Sequence, residues 1–177
     1  MVRSFILIIV FFCNLSLGAA AQSIDSLFVR AAYSKLQSAR EYTRQVAEAM
    51  PAQDYSFKPD ADVMTFGEQL LHLSQNLGWL SSYYLNNKEQ NPVSKSDIKL
   101  QEKDSILSVV NKTYDYALEA MKNFPPDRLN DRVTFFAGPM SKLQIINLMN
   151  DHQTHHRGQL IVYLRMKGIR PPGYVGW

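Results

Sequence analysis

The segment DHQTHHRGQL, residues 151–160, contains three of the four histidines of this 177-residue chain. Apolar residues recur at helical spacing on both sides of it: Leu143, Ile145, Ile146, Leu148, Met149, Leu160, Ile161, Val162 and Leu164. We therefore expect one long, partly buried helix that carries these histidines. Side chains four residues apart on an α-helix point only ~40° away from each other. His152 and His156 then face the same way, as two ligands of one metal ion do.

The other two histidines leave the ligand set open at this point. His155 follows His152 by three residues, about 60° around the helix, so spacing alone accepts His155 as readily as His156. His72 lies alone in a second apolar, helical stretch. It either bonds a carbonyl group in the core or supplies a third ligand from across a helical bundle. Catalytic zinc sites commonly combine three protein ligands with water, and imidazole nitrogen is a favoured ligand.

The first 21 residues have the pattern of a secretory signal peptide. A positive start at residues 1–3 precedes the apolar run 5–12, and small residues follow at 18–21. We predict cleavage after Ala21, and hence an exported protein, periplasmic or secreted, without a stable membrane anchor. An uncleaved anchor is the alternative, but the run is shorter than the ~20 residues that span a bilayer. Cys13, the only cysteine, would be removed, which excludes disulfides and thiolate ligands.

Residues 22–177 are long enough to form one domain with a substantial core. The whole chain has 19 Lys and Arg residues against 16 Asp and Glu residues, and this small excess of positive charge is dispersed. Because no basic stripe with interleaved aromatic residues is present, we expect no nucleic-acid partner.

Four amphipathic stretches without alternating strand patterns predict an all-α four-helix bundle. Thr65 stands three residues before Glu68, the spacing of a capping box that opens the second helix. Residues 132–136 are expected to form a short extended piece. The predicted helices run from Ser23 or Asp25 to about Ala49, from Thr65 to Tyr84, from Leu100 or Lys103 to Phe124, and from Ser141 to Lys167, with Gly168 as the stop.

Three segments resemble the DinB family, also called the DinB/YfiT-like superfamily, whose members are taken to be metalloenzymes. They are FGEQLLHL at 66–73, HQTHHRGQL at 152–160 and LRMKGIRPP at 164–172, and the likeness extends over the whole predicted mature chain. The resemblance implies an up-down-down-up bundle with one divalent metal ion held by His72, His152 and His156, and His155 at a non-ligand position. Three imidazole ligands suit zinc, nickel, iron and copper alike, and we expect zinc, with nickel or iron as alternatives. Proteins that resemble this one are commonly homodimers, so we expect a homodimer.

From the resemblance we expect a metal-dependent hydrolase or transferase that acts on a small molecule at an open coordination position. Similar enzymes include thiol-dependent transferases and isomerases, but predicted export argues against a cytosolic thiol. The alternatives are a non-catalytic metal-binding or stress-related bundle and a metal-free interaction module. A fourth ligand from His155, Glu68 or Asp151 would favour the non-catalytic bundle, because structural zinc normally has four protein ligands.

Residues around the histidines have weaker assignments, and none is identified as catalytic. Arg157 is expected to face a substrate anion or solvent, and Gly158 to permit close helix approach. Glu68 is a general base or, more simply, part of the helix cap. Three polar residues are expected to orient the metal ligands or hold water near them: Gln69, Gln75 and Asn76. Three aromatic residues are expected to line a pocket or belong to the core: Tyr33, Trp79 and Tyr83.

Overall fold

Four long helices build the protein in a computed structural model that describes residues 2–88 and 90–175, with side chains from residue 24 onward. The helices are α1 (Val2–Ala49), α2 (Phe66–Leu80), α3 (Lys103–Lys122) and α4 (Lys142–Met166). Two short strands, β1 (Arg132–Val133) and β2 (Met140–Ser141), pair antiparallel between α3 and α4. The predicted all-α bundle and its short extended piece are both confirmed.

The predicted start of the first helix is wrong. α1 begins at Val2 rather than at Ser23 or Asp25, because residues 2–22 contain no proline and are rich in residues that helices tolerate. The predicted cleavage after Ala21 falls where side chains lie outside the described part of the chain, so it stays a prediction. Among the described residues, we find no helix with the length and apolar character that a membrane span requires.

Contacts between neighbouring helices show that the bundle runs up-down-down-up. α1 and α3 are antiparallel, α2 and α3 are parallel, and α2 and α4 are antiparallel. Between α1 and α3, Arg40 contacts Asp115 and Met50 contacts Lys103. Between α2 and α3, Gly67 lies beside Ile106, and just beyond α2 Ser82 contacts Tyr116. Between α2 and α4, Gln69 contacts Tyr163 and His72 contacts His152.

Both helices that carry the histidines begin with a capping box. At the start of α2, the Thr65 N–H donates to Glu68 Oε2 at 2.8 Å and the Glu68 N–H donates to Thr65 Oγ1 at 3.2 Å, as predicted. Ser141 and Gln144 form the same reciprocal pair at the start of α4. At the other end of α4, Gly168 takes a φ of +71°, the left-handed conformation that commonly ends helices.

The end of α2 is unusual because residues Ser81–Leu85 form a π-helical turn. The loop that follows folds back along α2, where the Asn91 Nδ2 donates to the carbonyl oxygen of Gln75 at 3.0 Å. Gly78 makes this approach feasible. A Cβ atom at Gly78 would lie 2.7 Å from Asn91 Oδ1 and 2.9 Å from Pro92 Cγ, closer than real Cβ contacts allow.

The core is richest along α2, whose leucines recur at the helical period predicted from the sequence. Burying each leucine contributes roughly 1.5–3 kcal/mol, so this helix is firmly anchored and provides a rigid support for His72. The apolar α2 side chains that are no more than 1% exposed are Phe66, Leu70, Leu71, Leu73, Leu77 and Leu80.

Candidate metal centre

Three of the four histidines meet between α2 and α4. His72 comes from α2, and His152 and His156 come from successive turns of α4. The two Nε2 atoms of His72 and His152 are 3.2 Å apart, and the ring centroid of His156 lies 4.6 Å from that of His72 and 4.4 Å from that of His152. One nitrogen from each ring lies within 4.8 Å of the other two. We call these residues the histidine cluster.

The spacing of the histidine cluster fits a divalent metal ion. A tetrahedral ion with Zn–N distances of ~2.0–2.1 Å holds its ligand nitrogens about 3.3 Å apart. The Nε2 atoms of His72 and His152 match that separation with 3.2 Å between them. Among the described residues, the group of potential metal ligands contains these three histidines and no cysteine, aspartate or glutamate. The cluster could therefore hold an ion and leave part of its coordination sphere open.

Gln69 fixes the orientation of the His156 ring. The His156 Nδ1 lies 2.6 Å from Gln69 Oε1. An amide oxygen only accepts hydrogen bonds, so Nδ1 is the protonated nitrogen and Nε2 keeps a free lone pair. Gln69 is itself 2% exposed, and its Nε2 donates to Gln159 Oε1 and, at 3.5 Å, to the Tyr163 hydroxyl. Gln69 and its hydrogen-bond partners therefore hold the His156 ring in place, as we predicted for Gln69 from the sequence.

His155 points away from the histidine cluster. It is exposed, and its Nε2 accepts a hydrogen bond from the Gln159 Nε2 at 2.9 Å. Its ring lies edge-on to that of His156, with the centroids 4.9 Å apart. The structure therefore places His156, rather than His155, beside His152.

Burial keeps the histidine cluster uncharged near neutral pH. Loss of solvent lowers the pKa of His152 and of His156 from 6.5 to about 4, with smaller contributions from the neighbouring imidazoles. The pKa of His72 is lowered for the same reason. Neutral imidazoles keep the lone pair that a metal ion needs, so the site requires no proton release at pH 7.

The carboxylates that might have joined the cluster are engaged elsewhere. The Glu68 side chain belongs to the α2 capping box, and the Thr65 backbone N–H, followed by its hydroxyl, lowers the pKa of Glu68. Asp151 is exposed and lines a separate cavity together with Lys35 of α1. Neither supplies a fourth ligand to the three histidines.

Two residues next to the histidines behave differently from the prediction. Arg157 faces neither a substrate anion nor solvent: it is 4% exposed and packs against α1, with its guanidinium 5.1 Å from the centre of the Tyr42 ring. The reason is its position, since it lies about 100° around α4 from His156. Gly158 does not permit a close helix approach, because it is exposed and a Cβ atom there would meet no atom within 4 Å.

A second buried polar group on α4 was missed from the sequence. Tyr114 is fully buried, its hydroxyl donates to Gln153 Oε1, and it lies 2.9 Å from the Thr43 hydroxyl. Arg157 donates to Thr43 Oγ1 at 3.3 Å. We call Thr43, Tyr114, Gln153 and Arg157 the tyrosine network. Its sequence signal is weak: Gln153 and Arg157 lie four residues apart, in phase with buried apolar positions.

The predicted pocket aromatics divide into two groups. Trp79 and Tyr83 line a cavity of about 310 Å³ that also borders His72, together with Gln75 and Asn76. Tyr33 instead packs against the core from α1. The cavity therefore opens beside the histidine cluster along α2.

Comparison with known proteins identifies the family and the fold of the chain. The model of the DinB family matches residues 24–176. The chain belongs to the DinB family. A relative, the uncharacterized protein YjoA of Bacillus subtilis strain 168, is 29% identical to this DinB protein over 141 residues, covering 76% of this chain and 88% of YjoA.

Solved structures show the same fold for this DinB protein. The crystal structure of the DinB-like protein YjoA from Bacillus subtilis superposes with a TM-score of 0.66 at 18% identity, covering 82% of this chain and 96% of that one. A DinB-like protein from Bacillus cereus ATCC 10987 superposes with a TM-score of 0.63 at 18% identity, covering 83% and 95% of the two chains.

Proposed function

We propose that this DinB protein is a metal-dependent enzyme, a hydrolase or transferase that acts on a small molecule. His72, His152 and His156 hold one divalent ion, which we take to be zinc, with nickel or iron as alternatives. Such an ion activates bound water or polarises a substrate oxygen or sulfur atom.

The observation that carries this proposal is the convergence of three neutral imidazoles without a fourth ligand among the described residues. Structural zinc sites normally use four protein ligands, whereas catalytic sites keep a position open. His155, Glu68 and Asp151 would each have indicated a structural site, and each is directed or engaged elsewhere. This favours the enzyme over the non-catalytic metal-binding or stress-related bundle.

The chain's own contribution is to hold and orient the ligands. Gln69 keeps the His156 proton on Nδ1 and so presents Nε2 to the ion. Burial keeps the three imidazoles neutral. Because Glu68 is committed to the helix cap, we assign no residue to proton transfer.

Metal analysis of the purified protein tests the ligand set. We expect near-stoichiometric metal in the parent, and little in His72→Ala or His156→Ala. His155→Ala is the matched control, since it removes an imidazole adjacent to the site and should retain the metal. Unchanged metal content in the first two variants would show that the histidine cluster is not the binding site.

A cobalt-substituted protein separates an enzyme from a scaffold. At an open position, a small thiol should enter the coordination sphere and change the visible absorption of the bound cobalt ion. Removing the ion should then lower the unfolding temperature but leave the protein folded. Two results would instead indicate the non-catalytic bundle: the protein unfolds when the metal is chelated, and added thiols leave the cobalt spectrum unchanged.

We further propose that the protein is exported, periplasmic or secreted, after cleavage following Ala21, and that it forms a homodimer. The apolar run at 5–12 and the small residues at 18–21 support export. N-terminal sequencing of the protein recovered from the extracytoplasmic fraction should begin at Gln22, and sedimentation should give twice the monomer mass. Protein that starts at Met1 in the cytoplasm would contradict export.

A further inference from the structure

One face of α2 leads away from the histidine cluster into a cavity. His72, the adjacent pair Gln75 and Asn76, Trp79 and Tyr83 succeed one another at steps of three or four residues. They form a stripe along α2 and the π-helical turn that follows it. With Asn91 from the following loop, they line the cavity of about 310 Å³. That volume lies within the range of ~300–1,000 Å³ typical of small-molecule sites.

Two walls of this cavity, Trp79 and Asn91, are held in place by their neighbours. The Trp79 ring stacks on Phe135, with the ring centroids 5.6 Å apart at 28°, and meets the edge of Tyr84 at 5.6 Å. Asn91 is fixed by a bond to the Gln75 carbonyl oxygen and by the Val93 N–H, which donates to its Oδ1 at 2.9 Å. A wall that is already ordered loses little entropy when a ligand binds.

Four polar groups on the stripe are uncommitted. The side chains of Gln75, Asn76, Trp79 and Tyr83 line the cavity but make no hydrogen bond to any other described residue. The two carboxamides each offer donors and an acceptor, and the indole and phenol groups add further donors. Together they can recognise a ligand that carries both donors and acceptors.

Charge complementarity points to an uncharged ligand. Within the described chain, no Asp, Glu, Lys or Arg lines this cavity. A cation placed there would gain no counter-charge from the cavity lining, and an anion would gain one only from an ion held at the histidine cluster. Neutral carboxamides and the flat face of an indole ring instead favour a planar, uncharged group with amide-like hydrogen bonding.

We infer that the cavity beside His72 is the substrate subsite and selects an uncharged, ring-bearing group with a carboxamide-like hydrogen-bonding edge. The ring packs against Trp79, and the amide-like edge exchanges hydrogen bonds with Gln75 and Asn76. The rest of the substrate extends past His72 to the metal ion. This inference rests on the proposed function, whose site it extends.

Three isosteric probes test the selectivity: benzamide is neutral, benzoate is negative and benzamidinium is positive. The full-length protein gives two indole N–H signals in an NMR spectrum, and Trp79→Phe identifies the one that belongs to Trp79. As benzamide is added, the chemical shift of the Trp79 signal should change and then level off when the cavity is saturated. We expect its affinity to exceed that of benzamidinium by about tenfold or more, because the cation gains no counter-charge in the cavity.

The substitution Gln75→Glu reverses the electrostatics at nearly constant size. The ratio of benzamide to benzamidinium affinity should fall by about tenfold, since a carboxylate now faces the cavity. Gln37→Glu is the matched control: it adds the same charge on the exposed face of α1 and should leave the ratio unchanged. Comparing variants with equal metal content cancels any effect of the ion on the probes.

Two results would overturn the inference. One is a Trp79 signal that benzamide does not move, and the other is a parent protein that binds benzamidinium, or in its metal-free form benzoate, more tightly than benzamide. Metal content is measured separately. A protein without metal that still selects benzamide would refute the proposed enzyme and retain the subsite, whereas a metal-loaded protein without selectivity would refute the subsite alone.

Discussion

The histidine cluster and the tyrosine network lie on two faces of the same helix and have opposite hydrogen-bonding character. The tyrosine network is fully buried, whereas His72 and His152 of the histidine cluster are half-buried. α4 alternates between the two groups: His152 precedes Gln153, and His156 precedes Arg157. In the tyrosine network, hydroxyl, amide oxygen and guanidinium bond to each other across three helices. In the histidine cluster, three imidazoles converge and are free to bind an ion.

This difference distinguishes polar side chains that stabilise the bundle, in the tyrosine network, from those that can bind a ligand, in the histidine cluster. A hydrogen-bonded network contributes to stability and to a unique packing, although one buried atom of it, Gln153 Nε2, has no partner among the described residues. Clustered neutral imidazoles bury polar atoms at a cost, which a bound ion would offset. We therefore expect substitutions in the two groups to have separable effects, on unfolding in one and on metal affinity in the other.

The largest effect is expected from Tyr114→Ala. Removing a fully buried aromatic side chain leaves a cavity, and the free energy of unfolding should fall by about 3–5 kcal/mol. Urea denaturation measures this, while the metal content of the folded fraction should stay unchanged. Tyr116→Ala, at a half-buried site on the same helix, should cost less. Loss of metal from folded Tyr114→Ala would show that the two groups are coupled.

Gln69→Leu is the corresponding change beside the histidine cluster. Without its amide oxygen, the His156 proton is no longer fixed on Nδ1, and metal affinity should fall by ~10–100-fold, as is usual for residues that orient a ligand. Competition with a chromogenic chelator measures the affinity. Gln153→Leu, in the tyrosine network, should weaken folding without this loss of affinity; equal losses in both variants would contradict the separation.

The pH dependence of the metal-free protein should reveal the histidine cluster. The pKa values of His152 and His156 are lowered from 6.5 to about 4, so above pH ~6.5 both states are neutral and stability is flat. Between about pH 6.5 and 4, these two imidazoles are protonated in the unfolded chain but stay neutral in the folded protein. The free energy of unfolding therefore falls as the pH drops. Denaturant midpoints across this range test the sign.

His152→Gln should reduce the slope of that pH dependence, because it removes one of the three histidines whose pKa is lowered. His155→Gln is the control, since this exposed imidazole lies outside the cluster, and it should leave the slope in place. A parent protein that becomes more stable between pH 6.5 and 4 would contradict the assigned direction.

The smallest effects are expected at the two capping boxes, which stabilise the first turns of α2 and α4. Thr65→Ala and Ser141→Ala each remove a side chain that caps the first turn, and each should lower the free energy of unfolding by about 1 kcal/mol. Metal affinity should not change. Thr65→Ser, which keeps the hydroxyl, is the matched control and should restore most of the lost stability.

Local patterns predicted the helices because helix formation depends on near neighbours in the sequence. The capping box of Thr65 and Glu68 spans only three residues, and the leucines of α2 repeat every three or four. The stripe from His72 to Tyr83 also follows from this period. Each of these features needs the geometry of one helix and nothing else.

Features that depend on how helices face each other were harder to predict. The choice between His155 and His156 requires knowing which face of α4 contacts α2. A usable signal was present, because Met149, Gln153, His156 and Leu160 are in phase and all buried, whereas His155 is exposed. Arg157 was misjudged because a cation was assumed to need water or an anion, although hydroxyl groups and the Tyr42 ring surround it.

A substitution at Gly78 could change the size of the molecules that the cavity admits without changing the three histidines. The loop at Asn91 and Pro92 sits against α2 only because position 78 has no side chain, and a single added methyl group would come within 2.7 Å of it. An alanine there would move the loop outward and enlarge the cavity while His72, His152 and His156 stay as they are. In evolutionary terms, one small substitution would suffice to admit bulkier molecules to an unaltered centre.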